Sequence, residues 1–208
     1  HPELAQDETR LAWINRCYEQ DEIAPLQKKD VLQPLSIANL TSDVAPKSAG
    51  HDGIKVSIIV PVYNGADTLG LTLEGLMAQT WANLEILIVD DCSTDATADV
   101  IAQYCAQDAR LIALRNEVNS GSYTARNLAL HQARGDVITV HDANDWSHPQ
   151  KIEQQARHLQ ENPNVIANHT QRARVDENLM FLGKFRHKWR LIDWDPSSFM
   201  IRRDAALA

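Results

Sequence analysis

From Lys55 onward, short apolar runs alternate with longer stretches of helical period. Val56-Ser57-Ile58-Ile59-Val60 is β-branched and almost wholly apolar, which predicts a strand buried on both faces. Thr68 to Gln79 repeats Leu69, Leu73, Leu76 and Met77 on one helical face. Ile86-Leu87-Ile88-Val89 marks a second strand, and Val100, Ile101, Tyr104 and Cys105 give an inward face to a helix over about 96–107. A third strand is expected at Leu111 to Leu114, a third helix over 122–133, and a fourth strand from Asp136 to His141. Pro149 then opens a fourth helix that runs to about Glu161. This alternation predicts right-handed βαβ units and an open, mainly parallel α/β sheet with helices on both faces. The expected strand order is 3-2-1-4, with the switch point between the first and fourth strands.

The first fifty residues follow another pattern. Leu11, Ile14 and Tyr18 recur at helical spacing, with Trp13 and Cys17 beside them, so an amphipathic helix is expected over about 4–20. After Pro25 and Pro34 the chain is rich in Ala, Ser, Asp and Pro, which reads as a linker or surface strap. The division is therefore an N-terminal helix and linker over 1–52 and an α/β domain over 53–208.

Composition narrows the classes. The chain has 208 residues, 44% hydrophobic, with only 8 Gly and 8 Pro, which excludes disorder and low complexity. A formal net charge of -8 argues against a nucleic-acid partner. Cys17, Cys92 and Cys105 form no CxxC pair, which suits a reduced, cytoplasmic chain. No apolar stretch approaches the roughly 18–20 residues of a membrane span. His1-Pro2-Glu3 has neither an initiator Met nor a signal-peptide pattern, so a portion of a longer protein is expected.

Ligands of open α/β sheets bind beyond the carboxyl ends of the strands. Those ends carry Pro61-Val62-Tyr63-Asn64, then Asp90-Asp91-Cys92-Ser93-Thr94-Asp95, then Asn116 to Ser122, and finally His141-Asp142-Ala143-Asn144-Asp145. No GxGxxG follows the first strand, and Leu71 stands where a P-loop needs its lysine. Clustered acids with few basic groups suit a divalent cation that couples a carboxylate to a diphosphate. Each segment also has a plain structural reading. The Asp90–Asp95 run can cap the next helix, Asp142–Asp145 can be a turn, and Tyr63 alone reads as a core aromatic. His141 and His148 lack metal-ligand spacing and read as packing or capping groups.

Together, Val56 to Asn64, Leu87 to Asp95, Ala125-Arg126-Asn127, Ala133-Arg134-Gly135-Asp136 and Asp142-Ala143-Asn144-Asp145 resemble family 2 glycosyltransferases. The resemblance is specific over about 55–150 and weaker over 151–205. It implies a GT-A fold, a nucleotide-sugar donor (most often a UDP-sugar), Mn²⁺ or Mg²⁺, and inverting transfer to a saccharide or other acceptor in glycan or polysaccharide biosynthesis. Pro61 and Tyr63 match the loop bordering the nucleobase. Asp91 matches the acid that hydrogen-bonds the base, with Asp90 supporting its turn. Arg126 matches an arginine near the nucleotide. Asp142 and Asn144 fall on the DxD positions, which contact the ribose and the diphosphate-bound metal, and Asp145 is structural or sugar-facing.

Two departures stand out. Asn144 replaces the second acid of DxD, which removes a charge from the metal ligand set. Cys92 replaces a common glycine in the Asp-Asp-Gly-Ser turn. The alternative to an enzyme is thus a non-catalytic nucleotide-sugar-binding module with a degenerate DxD. Further on, Lys184, Arg186, Lys188 and Arg190 alternate with Phe185, His187 and Trp189, which on a strand would place cations on one face. An inverting enzyme also needs a carboxylate base. The family carries it beyond a stretch like Ser197 to Arg203, so it is expected past Ala208, with Asp193, Asp195 and Asp204 the only acids near the C-terminus.

Overall fold

The computed structural model describes residues 2–16, 18–19, 23–44, 53–180, 193–194 and 198–208. Cys17, Asp195 and the alternating run from Lys184 to Arg190 lie outside the described residues.

The central strands are β3 (Val56–Val62) and β4 (Leu84–Asp90), and all seven residues of each are buried. Both faces of each strand are covered, which is why their sequences are continuous apolar runs rather than alternating ones. β4 pairs on its far side with β5 (Leu111–Arg115), and β3 pairs on its other side with β6 (Val137–Val140), all in parallel. This is the 3-2-1-4 order that the sequence predicts. Beyond β6 the sheet continues through β10 (Met200–Arg202) to β7 (Ala167–Asn168), and β10 runs antiparallel to both neighbours. Two or three residues say nothing of which strand they pair with, so these two pairings were not expected.

Side-chain alternation splits the core into two layers. Val56, Ile58, Val60, Ile86 and Ile88 face one side. They meet Leu69, Leu73 and Leu76 of α2 (Ala66–Met77), Ile101 of α3 (Thr97–Cys105) and Ile152, Ala156 and Leu159 of α5 (Lys151–Glu161). Ile59, Leu87, Val89 and Ile138 face the other side, against Ala125 and Ala129 of α4 (Ser122–Gln132). The small residues let α4 lie close to the sheet, which sets the height of Arg126 above its upper edge.

Before the sheet come α1 (Pro2–Arg16) and a stretch expected to be a linker. That stretch contains a hairpin, β1 (Leu26–Lys28) with β2 (Leu40–Ser42). Leu26, Leu35 and Leu40 are buried together with Leu179, and Leu11, Ile14, Tyr18 and Trp146 pack on them. Three leucines spread over fifteen residues have neither helical nor strand period, so the cluster is visible only once the hairpin brings them together. A second short ladder joins β8 (Gln171–Arg172) to β9 (Asp193–Trp194), and α6 (Arg203–Leu207) ends the chain. No described helix is long and apolar enough to cross a membrane.

The N-terminal segment is tied to the domain through His148. The ring nitrogen Nδ1 accepts from the Gln150 backbone N–H at 3.1 Å, so Nε2 carries the proton and donates to the Ala24 carbonyl at 2.9 Å. Burial holds the His148 pKa below the ordinary 6.5, against the opposing pull of that carbonyl. A lowered folded value means the neutral ring stabilises the fold above 6.5, and that stability is lost as pH falls through the folded pKa. Urea midpoints should therefore drop between pH 7.5 and 5.5, and His148→Gln should flatten that slope. Equal slopes in both proteins would remove His148 from the account.

Candidate donor-binding site

Four loops meet at the carboxyl edge of β3, β4, β5 and β6. Asn64, just past β3, adopts φ +49, a left-handed conformation that asparagine tolerates better than most residues. Its backbone N–H donates to Ser93 Oγ at 2.9 Å, and its side-chain oxygen accepts from the Thr94 N–H at 2.8 Å. Asp95 then serves two helices at once. Oδ1 accepts from the Thr97 N–H at the start of α3, and Oδ2 accepts from the Ala66 N–H at the start of α2. The structural reading of this run as a helix cap is thus correct for Asp95. Its hydrogen bonds, chiefly from the Thr97 hydroxyl, hold the Asp95 carboxyl below the usual range.

The two preceding acids are buried and do different work. Asp90 Oδ1 accepts from the Ser93 N–H at 2.8 Å, and Oδ2 lies 3.2 Å from Arg115 Nη1, so this residue supports the turn. Asp91 Oδ1 accepts from Asn116 Nδ2 at 2.6 Å and from the Ser120 N–H at 3.0 Å, while Oδ2 accepts from the Gly121 N–H at 2.7 Å. Burial alone would raise the Asp91 pKa, but these three donors outweigh it and hold the carboxyl below the usual range. Asp91 therefore stays anionic near neutral pH and clamps the loop between β5 and α4. Gly121, at φ +83, allows the sharp entry into α4. Asn116 was only one of several polar groups on the rim in the sequence, and Arg115 carried no signal beyond its place at a strand end.

Cys92, between these acids and Ser93, sits at φ +63. A side chain there costs about 1–2 kcal/mol, which glycine escapes at a smaller entropic cost. Cys92→Gly is accordingly expected to raise stability by about 0.5–1 kcal/mol. A higher melting temperature checks this, and a lower one contradicts it.

The fourth loop carries the DxD-like segment. The buried His141 holds it in shape: Nδ1 faces the Asp142 carbonyl at 3.0 Å, and Nε2 faces Ser147 Oγ at 2.7 Å. Thr68 and Thr72 of α2 donate to the carbonyls of Ala143 and Asp145. His141 and His148 thus have the local structural role expected of them. Asp142 Oδ1 lies 3.1 Å from Arg126 Nη2, and the Arg126 guanidinium lies over the Tyr123 ring, 5.5 Å from its centroid. Asn144 and Tyr63 are exposed, and Pro61 is buried in β3.

The donor set around Asp142 and Asn144 is one carboxylate and one amide. Among the described residues, no three His, Cys, Asp or Glu side chains cluster as a metal site. Such a set fits a hard cation that takes its remaining ligands from a diphosphate and water, as Mg²⁺ commonly does. Asp204 lies elsewhere. β10 runs antiparallel to β6, so Arg202 sits opposite Val137 and Asp204 lies at the other end of the sheet. Only the backbone of Asp193 is described.

Residues 57–205 match the model of Glycosyl transferase family 2. The chain belongs to that family. Family 2 relatives agree in sequence and in fold. The chain is 36% identical over 130 residues to UDP-Glc:alpha-D-GlcNAc-diphosphoundecaprenol beta-1,3-glucosyltransferase WfaP of Escherichia coli, covering 62% of this chain and 50% of that protein. It superposes with a TM-score of 0.50 and 32% identity on S. aureus TarS 1-349 in complex with UDP-GlcNAc, over 53% of this chain and 32% of that one. Mannosyltransferase PcManGT from Pyrobaculum calidifontis, in complex with GDP-Man and Mn2+, gives 0.52 and 28% over 60% and 37%. The family 2 fold here is thus GT-A, a mixed α/β sheet with nucleotide-sugar-binding neighbours. The chain spans half or less of the length of the curated relatives it matches.

Proposed function

We propose that the carboxyl edge of β3, β4 and β6 binds a UDP-sugar with Mn²⁺ or Mg²⁺ and serves inverting transfer of the sugar to a saccharide or other acceptor. The observation that carries this reading is the meeting of the Asp91-clamped loop and the Arg126–Asp142 pair at one switch point. The UDP-GlcNAc and GDP-Man carried by the solved neighbours support it.

In this reading Pro61, Tyr63 and Asp91 border the nucleobase, with Asp90 holding the turn beneath them. Arg126 and Asp142 face the ribose and diphosphate. Asp142 and Asn144 would hold the cation, which would supply charge neutralisation on the departing diphosphate. The acceptor hydroxyl oxygen forms the new bond at the anomeric carbon as the bond to the β-phosphate oxygen breaks. UDP leaves with that electron pair, and a carboxylate base takes the hydroxyl proton.

A second reading has a specific observation behind it. Asn144 is neutral and exposed, which suits a module that holds nucleotide sugars without turning them over. Calorimetric titration with UDP in the presence of Mn²⁺ tests the shared site: saturable binding weakened in Asp91→Ala by about 1–3 kcal/mol supports it. Absent binding overturns it. Donor turnover then separates enzyme from module.

A further inference from the structure

We infer that Arg126 is a latch on Asp142 in the nucleotide-free chain, and that a diphosphate releases it, so that cation and nucleotide bind as one coupled event. This rests on the donor-site reading above. Three observations carry it. First, Arg126 Nη2 lies 3.1 Å from Asp142 Oδ1, one of the two oxygens of the carboxylate that a cation would use. Second, Asp142 is the sole charged member of the DxD-like pair, because the second position is Asn144. A guanidinium on that carboxylate cancels the only formal charge the pair offers a metal. Third, the arginine has capacity to spare: Nε is buried without a hydrogen-bond partner, and one face of the guanidinium rests on Tyr123.

A guanidinium presents five N–H donors in a planar fork, which matches phosphate oxygens better than a single carboxylate oxygen. A diphosphate beside α4 therefore competes for Arg126 and frees Asp142, while its own oxygens add ligands to the same cation. The two effects act in the same direction. Linkage then requires each ligand to tighten the other by the same factor. In families with two acids at these positions a second carboxylate remains for the metal whatever the arginine does. With Asn144 there is no such second carboxylate, so the latch bears directly on the one charged ligand.

The test is Mn²⁺ titration followed by electron paramagnetic resonance of the free aqua ion, with and without UDP, on the wild-type chain, Arg126→Gln and Asp142→Asn. Without UDP, Arg126→Gln should bind Mn²⁺ tighter than wild type, by up to roughly fivefold. Asp142→Asn, which opens the same pair from the other side, should show no such gain. UDP should tighten Mn²⁺ binding in both proteins through the diphosphate oxygens, and by a larger factor in wild type than in Arg126→Gln, which has no latch to release. Equal Mn²⁺ affinity of wild type and Arg126→Gln without nucleotide would overturn the latch. So would UDP binding in wild type that Mn²⁺ leaves unchanged, although the nucleotide site would stand. No UDP binding under any condition would overturn the donor-site reading itself.

Discussion

Replacing Gly135 by alanine is expected to lower the unfolding free energy by about 3 kcal/mol, a large share of the roughly 5–15 kcal/mol that holds a domain folded. The reason is space. A Cβ at this position would lie 2.6 Å from the Ser57 backbone nitrogen, 2.6 Å from its Oγ and 2.8 Å from the Lys55 carbonyl oxygen. Two of these atoms belong to the backbone that enters β3, which cannot retreat without opening the pairing with β6. The same corner holds a buried carboxylate. Glu85 Oε1 accepts from Ser57 Oγ and from the Arg134 N–H, both at 2.6 Å, and Lys55 Nζ lies 2.7 Å from Oε2. Gly135 N–H in turn donates to Ser57 Oγ at 2.8 Å. Moving β3 by a few tenths of an ångström strains every one of these bonds. Urea denaturation measures the effect, and an unchanged midpoint would show that the corner yields cheaply.

Asp142→Asn is expected to have the largest effect on chemistry, lowering donor turnover about 10²–10³-fold, the usual range for losing one group that stabilises transition-state charge. The fold should not notice. Asp142 sits on a loop, is partly exposed, and its pair with Arg126 is of the kind that contributes about 0–1 kcal/mol. A UDP-release assay beside a thermal melt checks both halves. Full turnover would place the DxD-like segment outside the reaction.

These two residues also show where the sequence was informative. The four parallel strands and their order were legible because buried parallel strands write themselves as continuous apolar runs, as Val56 to Val60 and Ile86 to Val89 do. The antiparallel places of β7 and β10 were not, because these depend on what lies beside β6 and not on their own two or three residues. The N-terminal hairpin was hidden for a related reason: Leu26, Leu35 and Leu40 find one another only through the fold. The site was legible as positions. Strand ends in a doubly wound sheet point to one edge, so Asn64, Asp91 and Asp142 could be gathered there from topology alone.

Roles were harder to read than positions. Ala133-Arg134-Gly135-Asp136 contributes to the family resemblance, yet it lies at the opposite end of β6, where Asp136 Oδ2 accepts from the Lys55 N–H at 2.7 Å and Gly135 presses on Ser57. Nothing in the order of residues separates such a packing motif from a binding one. Asp91 gives the complementary case. An acid at a strand end invites a ligand, but its hydrogen bonds to Asn116, Ser120 and Gly121 depend on a loop some twenty-five to thirty residues later. Cys92 was legible as a departure, and its positive φ supplies the physical meaning.

The central claim is that a nucleotide diphosphate binds at the carboxyl edge of β3, β4 and β6. Amide chemical-shift mapping during titration with UDP and Mg²⁺ addresses it directly. The backbone amides of Asn64, Asp91, Gly121 and Asn144 are expected to shift together and saturate with one binding constant, while that of Gly135 at the far edge stays in place. Shifts confined to the Gly135 edge, or no shifts at saturating UDP, would contradict the account.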